Sequence, residues 1–507
     1  MKKYFIGKII AASLACTLAL SSLVVYGNSV SAVPSTNAET TTASTATTKA
    51  PKYVFLFIGD GMSYPQIQSA SDYLGAIDQE EGSKILTGGK ALSFMNFETA
   101  GSATTFDSTS FCPDSASTAT SISTGHKTYS SVINMDETLT VSYETIAEKL
   151  KEQKDYKIGV ITSVNLNHAT PAAFYAHQPS RNNYYEIGQE LIASDFDYFA
   201  GGELLNLNGK NGDQESLHTL AEKAGYDVIT TQAEAEDLSK ADGKAIVIGE
   251  TLADSDSLSY DGDRASGEWA LADYVKKGIE VLDNEKGFFM MVEGGKIDWA
   301  CHANDAGSSI GDTLALDEAV KEAVNFYNQH PDETLIIVTG DHETGGLTIG
   351  YAGTNYDTYL ENLENQKISY AKFDSDYVAK YKENKTSFED VMKDVEELFG
   401  LKMSGDDNLT LTAYEIERLK AAYDKTMSGE EVDESNQAEY VMYGTYEPLS
   451  VTITHILNNK SGINFSSYSH TGLPVGVFAT GAGAESFEGY YDNTDIYNKL
   501  ASLTGVK

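Results

Sequence analysis

KYVFLFIGDG, residues 52–61, is the stretch of sequence that decides the fold. An unbroken apolar run leads into a Gly-Asp-Gly turn. A run of this kind that ends in a turn is typical of a strand buried on both faces, as in a parallel sheet covered by helices. Asp60 follows the run directly, so it should stand at the carboxyl end of that strand.

The order of helix and buried strand recurs along the chain. Helical periodicity precedes an apolar run in VSYETIAEKLKEQK before YKIGVITSV, GEWALADYVKKGIEVLD before GFFMMVEGG, and GDTLALDEAVKEAVNFYNQH before TLIIVTGDHETGG, and LPVGVFATG adds a late strand. This alternation predicts an α/β fold with a mostly parallel central sheet flanked by helices on both faces. Between residues 355 and 445 Tyr, Lys, Asp and Glu dominate. We interpret this stretch, which includes two amphipathic helices, as an acidic insertion that decorates the sheet.

The composition limits the choice of partners. The 507 residues carry a formal net charge of −39. Nucleic acids and anionic membranes bind basic surfaces, so neither is an expected partner. An anionic substrate would need a local source of positive charge, because the 36 Lys and Arg residues are spread thinly.

The N-terminus has the pattern of a secretory signal. Lysines precede an apolar stretch, and residues 30–32, Val-Ser-Ala, offer a cleavage site. An uncleaved membrane anchor is the alternative, since the apolar run is just long enough to span a bilayer. Residues 33–50 are rich in Ser and Thr and predict a flexible tether to a membrane or cell wall. We expect a signal peptide at 1–32, a linker at 33–50, a catalytic domain at 51–507, and a secreted or cell-surface protein.

Acidic and imidazole side chains recur just after the predicted strands. Ligands of open parallel sheets bind at the carboxyl ends of the strands, where these side chains would meet. The candidates are Asp60, His168, Thr170, Glu293, Asp298, His302, Asp341, His342 and, before the late strand, His470. Asp298 and His302 are four residues apart, so one helical turn would place both on one face as a chelating pair. Each alone has an ordinary structural explanation, such as an Asp-Gly turn at Asp60.

Crowded carboxylates repel one another unless cations separate them, so the convergence predicts bound metal. Mixed His and Asp ligands suit Zn²⁺, whereas an oxygen-rich set with Glu and Thr suits Mg²⁺. The ions would also supply the missing positive charge. Ser115, in FCPDSASTAT at 111–120, could then act as a nucleophile that a metal ionises. Asp114 and Ser115 would equally suit the cap of a helix.

Several motifs together resemble the alkaline phosphatase family. They are FIGDGM, PDSASTATSISTGHKT, NHATPAAF, VEGGKIDWACHAND, VTGDHETGG and SHTGLPV, in the order in which the family has them. The resemblance implies hydrolysis of small phosphate monoesters, with Ser115 phosphorylated and Arg181 holding the phosphate. It also implies a homodimer.

The resemblance further implies a site for three metal ions. Asp298, His302 and His470 would bind one Zn²⁺, and Asp60, Asp341 and His342 a second. Thr170 and Glu293, with Asp60 bridging, would bind Mg²⁺. This chain has His168 where some members have Asp, and Trp299 where some have Lys or His. His168 would add a nitrogen ligand near the third site, so Co²⁺ or Zn²⁺ is an alternative occupant there.

Other functions remain as alternatives. A sulfatase needs a Cys-x-Pro-x-Arg context, but Pro113 follows Cys112 directly. A phosphodiesterase of the same superfamily would lack Arg181 and more often use Thr as nucleophile. A surface protein that stores metal or phosphate without turnover is the alternative from another class. Whether Cys112 and Cys301 form a disulfide or remain thiols is open.

Overall fold

The computed structural model describes residues 50–80 and 85–507. The predicted signal peptide lies outside these residues, as does the predicted linker apart from its last residue. The strands of the described chain are β1 (Tyr53–Gly59), β2 (Thr99–Thr104), β3 (Lys157–Asn165), β4 (Tyr198–Gly202), β5 (Tyr226–Ile229), β6 (Lys244–Ile248), β7 (Phe288–Gly294), β8 (Thr334–Gly340), β9 (Glu343–Thr344), β10 (Thr348–Ile349), β11 (Ile463–Asn464), β12 (His470–Thr471), β13 (Val475–Gly481) and β14 (Gly489–Asp492).

Helices fill most of the intervals between the strands. They are α1 (Tyr64–Ile77), α2 (Ser115–Thr124), α3 (Ile146–Lys154), α4 (Ala169–Ala172), α5 (Tyr184–Ala193), α6 (Leu217–Lys223), α7 (Gln232–Asp237), α8 (Leu271–Leu282), α9 (Lys296–His302), α10 (Ala306–Tyr327), α11 (Tyr370–Phe373), α12 (Ala379–Asn384), α13 (Phe388–Phe399), α14 (Ala413–Ser428), α15 (Gln437–Tyr443), α16 (Pro448–Ser461) and α17 (Thr494–Thr504). Within the described part of the chain, none of them has both the length and the apolar composition that spanning a bilayer requires.

Ten strands form one sheet in the order β14-β2-β13-β8-β1-β7-β3-β4-β6-β5. Strand β13 runs antiparallel to both of its neighbours, and the other pairings are parallel. This confirms the predicted α/β fold with a mostly parallel sheet. Gly59, at the end of the central strand β1, pairs with Gly294 of β7 and Gly340 of β8. The three strands therefore end at the same level, and the residues that follow them share one edge.

Alternate side chains of β1 enter two different apolar layers. Phe55 and Phe57 join a cluster that includes residues of α1, α8 and α10. Leu56 and Ile58 join a second cluster with residues of α2, α3, α5 and α17. Since successive side chains of a strand point to opposite faces, this pattern requires helices on both faces of the sheet.

The stretch between residues 355 and 445 is mainly helical, and the two amphipathic helices predicted there are confirmed as α13 and α14. Its apolar side chains, such as Phe373, Val391 and Leu419, belong to the same cluster as Phe55 of the central strand. The stretch is therefore packed onto one layer of the main core.

The two cysteines in the described chain are both free thiols. Cys112 is exposed, whereas Cys301 is buried and its Sγ lies 3.2 Å from Ser309 Oγ. Burial raises the pKa of the Cys301 thiol above its ordinary value. The structure thus favours two thiols over a disulfide.

Candidate metal centre and nucleophile

The carboxyl ends of β1, β7 and β8 carry the first of the predicted ligands to this edge of the sheet. Asp60 and Asp341 each follow their strand directly, and Glu293 is the penultimate residue of β7. The short antiparallel pair β9–β12 adds a ligand from much later in the chain, because it aligns His470 with Thr344. As a result the rings of His470 and His342 stack with their centroids 3.7 Å apart.

The ligand group formed by Asp60, Asp341 and His342 lies against Ser115. Its ligand atoms lie within 4.8 Å of one another, and all three side chains are buried. Ser115 Oγ lies 3.1 Å from His342 Nε2 and 3.4 Å from Asp60 Oδ1. Ser115 opens helix α2, so its oxygen also lies in the positive field of that helix's N-terminus.

Asp341 is held in place by three donors. The backbone N–H groups of Gly61 and His342 donate to Oδ1 at 3.2 and 2.8 Å. The Thr118 hydroxyl, one turn along α2, donates to Oδ2 at 3.1 Å. Gly61 has a φ of +72°, and a Cβ there would lie 2.8 Å from Thr344 Oγ1, so only glycine fits this turn.

A second group of potential ligands consists of Asp298, His302 and His470. His302 Nε2 lies 3.0 Å from His470 Nε2 and 3.3 Å from Asp298 Oδ2. Helix α9 places Asp298 and His302 on one face, which confirms the predicted geometry of this pair.

Hydrogen bonds to the backbone orient both imidazoles of the second group. His302 Nδ1 donates to the carbonyl of Tyr468 and His470 Nδ1 to that of Pro113, each at 2.6 Å. With Nδ1 protonated, each neutral ring carries its lone pair on Nε2, the atom that faces Asp298. A cation between the two Nε2 atoms would satisfy both lone pairs.

A third group, Asp60, His168 and Glu293, shares Asp60 with the group beside Ser115. Thr170 donates to Asp60 Oδ2 at 3.2 Å, and Thr162 donates to Glu293 Oε2. The buried atoms Glu293 Oε1 and His168 Nδ1 find no hydrogen-bond partner among the described residues. The orphaned carboxylate oxygen of Glu293 in this buried site fits a bound cation.

The carboxylates are too crowded to ionise together without a cation. Burial and then the charge of Asp60 raise the pKa of Glu293 well above its ordinary value. The same two causes raise the pKa of Asp341 to about 8. Burial opposes the charge of His342, yet Asp341 and then Asp60 raise its pKa to about 10. Protons on Glu293, Asp341 and His342 thus offset part of the negative charge of the metal-free cluster, and divalent cations could replace them.

Arg181 lies between the helix of Ser115 and the third group. Its Nη1 donates to Asp114 Oδ2 at 2.9 Å, and its Nη2 donates to His168 Nε2 at 3.2 Å. Burial and then the charge of Arg181 lower the pKa of His168 to about 4, so this imidazole is neutral. Asp114 is also the N-cap of α2, because its Oδ1 accepts from Ser117 N at 3.2 Å.

Trp299 lies beside the third group. Its ring lies 6.0 Å from that of His168, and the ammonium of Lys296 stands 4.7 Å from the Trp299 ring centre. Lys296 is fully buried and bonded to Asp254 Oδ1 at 2.7 Å. An aromatic ring therefore stands between His168 and the buried ammonium of Lys296.

The structure brings every predicted metal ligand and both predicted catalytic residues into one site. The other histidines of the described chain lie elsewhere; they are His126, His177, His218, His330 and His455. Sequence reasoning missed Thr344, whose hydroxyl contacts both Asp298 and His342. Its position two residues after His342 was the available signal, because alternate residues of an extended segment share a face.

Comparisons with known proteins agree with this geometry. A family model described as alkaline phosphatase matches residues 51–506. The chain is 31% identical over 458 residues to alkaline phosphatase 4 of Bacillus subtilis (strain 168), covering 89% of this chain and 88% of that protein. It is 30% identical over 455 residues to alkaline phosphatase 3 of the same organism, covering 88% and 87%. The crystal structure of a cold-active alkaline phosphatase from the psychrophile Shewanella sp. is 27% identical, with a TM-score of 0.72, covering 89% of this chain and 99% of that chain.

Proposed function

Because the chain belongs to the alkaline phosphatase family, we propose that it hydrolyses phosphate monoesters to an alcohol and inorganic phosphate. Ser115 is the proposed nucleophile of a phosphoserine intermediate. The observation that carries this proposal is the position of Ser115 Oγ, which lies within 3.4 Å of two potential metal ligands, Asp60 and His342. A protein that stores metal or phosphate without turnover would have no use for a hydroxyl placed in this way.

The proposed cofactors are two Zn²⁺ ions and one Mg²⁺ ion. The nitrogen-rich set Asp298, His302 and His470 suits zinc, as does Asp60 with Asp341 and His342. Thr170 and Glu293, with Asp60, give the oxygen donors that Mg²⁺ prefers, while the extra nitrogen of His168 keeps Co²⁺ or Zn²⁺ as alternatives. When bound, these ions supply positive charge that favours the ionised serine and neutralises the phosphate.

The residues of the chain then perform a double displacement. Ser115 loses its proton and its oxygen attacks phosphorus, so that a serine–phosphorus bond forms and the bond to the alcohol oxygen breaks, with a proton returning to the alcohol. Water then attacks the phosphoserine, which releases phosphate and restores Ser115. The N-terminus of α2 stabilises the serine anion.

Arg181 is the proposed phosphate-binding residue. A planar guanidinium can donate to two phosphate oxygens at once. Its ion pair with Asp114, the residue before the nucleophile, holds it beside Ser115 before substrate binds. The guanidinium thus needs little reorganisation on binding, which favours affinity.

We propose residues 51–507 as the catalytic domain and the acidic stretch 355–445 as a decoration that shares the main core of the sheet. The shared apolar cluster of Phe373 and Phe55 supports this division. The signal pattern and the Ser/Thr-rich linker support secretion with a tether to a membrane or cell wall. A homodimer is proposed from family membership, and the net charge of −39 argues against a nucleic-acid partner.

Assays with purified protein test the proposed reaction. A phosphate monoester, a diester and a sulfate ester are compared, with the zinc content of each sample measured in parallel. We expect hydrolysis of the monoester above the others, and Ser115→Ala should lower kcat roughly 10³-fold or more while keeping its zinc. Unchanged turnover in Ser115→Ala would exclude Ser115 as the nucleophile. Wild-type protein that binds metal or phosphate but releases no product from any of the three esters would support a storage function instead.

A further inference from the structure

The hydroxyl of Thr344 connects the two ligand groups proposed to bind zinc. Thr344 Oγ1 lies 2.5 Å from Asp298 Oδ1, which belongs to one group. The same oxygen lies 3.2 Å from His342 Nδ1, which belongs to the other. The side chain is fully buried, so water does not compete for these contacts.

The hydrogen-bonding capacity of these groups fixes where the protons lie. An ionised carboxylate only accepts, so the single hydroxyl proton of Thr344 points to Asp298. The lone pair of that hydroxyl then accepts from His342 Nδ1–H. Since Nδ1 keeps its proton, Nε2 is the nitrogen of His342 that is available to a cation, and it faces Ser115 at 3.1 Å.

The backbone around Thr344 leaves the hydroxyl little freedom to move. Its N–H donates to the carbonyl of Gly61 at 3.2 Å, and its carbonyl accepts from the Gln66 side chain at 3.0 Å. Strand pairing further aligns Thr344 with His470, a third proposed ligand. Thr344 is therefore fixed relative to residues of both groups.

We propose that Thr344 is a positioning residue that couples the two zinc sites. It orients the Asp298 carboxylate for one ion and holds the imidazole of His342 in the tautomer that the other ion requires. Partners that orient metal ligands typically contribute about 10- to 100-fold to metal affinity. This inference rests on the proposed function, because it presumes zinc at both groups.

Four variants of the full chain separate this role from ordinary core packing. Thr344→Val keeps the shape of the side chain but removes the hydroxyl, and Thr344→Ser keeps the hydroxyl. Thr344→Ala removes the hydroxyl without adding a methyl group, which provides a second test if the valine variant does not fold. Thr348→Val alters an exposed threonine on the nearby strand β10 and is the matched control.

Zinc content at buffered free Zn²⁺, and the rate of zinc transfer to a chromogenic chelator, are measured for each variant. We expect Thr344→Val to bind both zinc ions about 10- to 100-fold more weakly and Thr344→Ser to bind them nearly as wild type does. Thr348→Val should not differ from wild type.

The possible outcomes distinguish this inference from the proposed function. Wild-type protein that binds no zinc would overturn both. Wild-type protein that binds two zinc ions, with Thr344→Val and Thr344→Ala binding them equally tightly, would overturn only the role of Thr344. Weaker zinc binding at only one of the two groups would contradict the coupling. The same holds if Thr344→Ser binds zinc as weakly as Thr344→Val does.

Discussion

At the scale of single residues, the contacts of Asp114 explain why a carboxylate stands directly before Ser115, the proposed nucleophile. Its Oδ1 accepts from the backbone of Ser117 and Ser131, while its Oδ2 binds Arg181. The sequence left capping compatible with a functional role at this position, and the one side chain of Asp114 both caps α2 and binds the proposed phosphate-binding residue. The cap sets the start of α2 and thereby the position of Ser115.

The geometry of Arg181 predicts that lysine cannot replace it. A lysine ammonium is a compact charge that lacks the planar fork, so it could not bind Asp114 and two phosphate oxygens together. We expect Arg181→Lys to raise the inhibition constant of inorganic phosphate roughly 10-fold, which corresponds to about 1.4 kcal/mol. The measurement is competitive inhibition of monoester hydrolysis at fixed metal concentration.

Arg418→Lys is the control for this substitution. Arg418 lies on α14 and belongs neither to the ligand groups nor to helix α2, which begins at Ser115. Its phosphate inhibition should equal that of the wild type. Equal inhibition of Arg181→Lys and wild-type protein would show that Arg181 does not hold the phosphate.

At the scale of secondary-structure elements, the sequence predicted which segments form strands better than it predicted how those strands pair. The apolar runs of β1, β7 and β8 identify buried parallel strands, and the residues after them could be assigned to one edge. The apolar pattern of the run that forms β13 does not indicate the direction of the strand in the sheet. Its antiparallel pairing therefore could not be predicted. The pair β9–β12 has only two residues in each strand, which is too short for any periodicity.

The position of His470 depends on that short pair. The sequence pattern identified His470 only as a candidate before the late strand, and its assignment to a ligand group came from the family resemblance. The orientation of the imidazoles could not be predicted from the sequence either. His302 and His470 donate to carbonyls of Tyr468 and Pro113, and a backbone carbonyl carries no sequence signal. The types of ligand were therefore predictable, whereas their tautomers and their coupling through Thr344 required the structure.

The pair His177–Glu148 links helix α3 to the segment before α5 and predicts a pH-dependent stability. Burial opposes both charges, yet Glu148 raises the pKa of His177, and His177 lowers the pKa of Glu148. The contribution of His177 to the free energy of unfolding is fully present below its unfolded pKa of about 6.5. It is lost as the pH rises through the pKa of His177 in the folded protein. That of Glu148 is present above about pH 4.3 and is lost as the pH falls through its folded pKa.

We therefore expect His177→Gln to lower the free energy of unfolding by about 1 kcal/mol at pH 6 and by less at pH 9. Thermal unfolding at the two pH values, with metal held constant, measures the difference. His126→Gln is the contrasting variant. Burial lowers the pKa of His126, so replacing this histidine should raise the free energy of unfolding at acid pH. A loss in His177→Gln that is the same at both pH values would contradict the ion pair.

At the scale of the whole molecule, the site joins segments from nearly the full length of the described chain. Asp60 comes from the first strand and His470 from one of the last, and Glu293 and Asp341 lie between them. Burial and then the charge of Asp60 raise the pKa values of Glu293 and Asp341, so without cations these carboxylates resist ionising together. Bound metal would therefore hold the sheet edge together as well as support catalysis.

Removal of metal should consequently destabilise the entire domain. At a hundredfold excess over Kd, an ion that binds only the folded state stabilises it by about 2.7 kcal/mol. Three such sites would raise Tm by roughly 8 °C in a domain of this size. We expect a chelator to lower Tm by this amount and added Zn²⁺ and Mg²⁺ to restore it, as measured by differential scanning calorimetry. Because Ser115 is not a proposed ligand, Ser115→Ala should respond to chelator as wild type does, which separates stability from turnover. A Tm that does not depend on metal in either protein would mean that the ligand groups do not bind ions in the folded state.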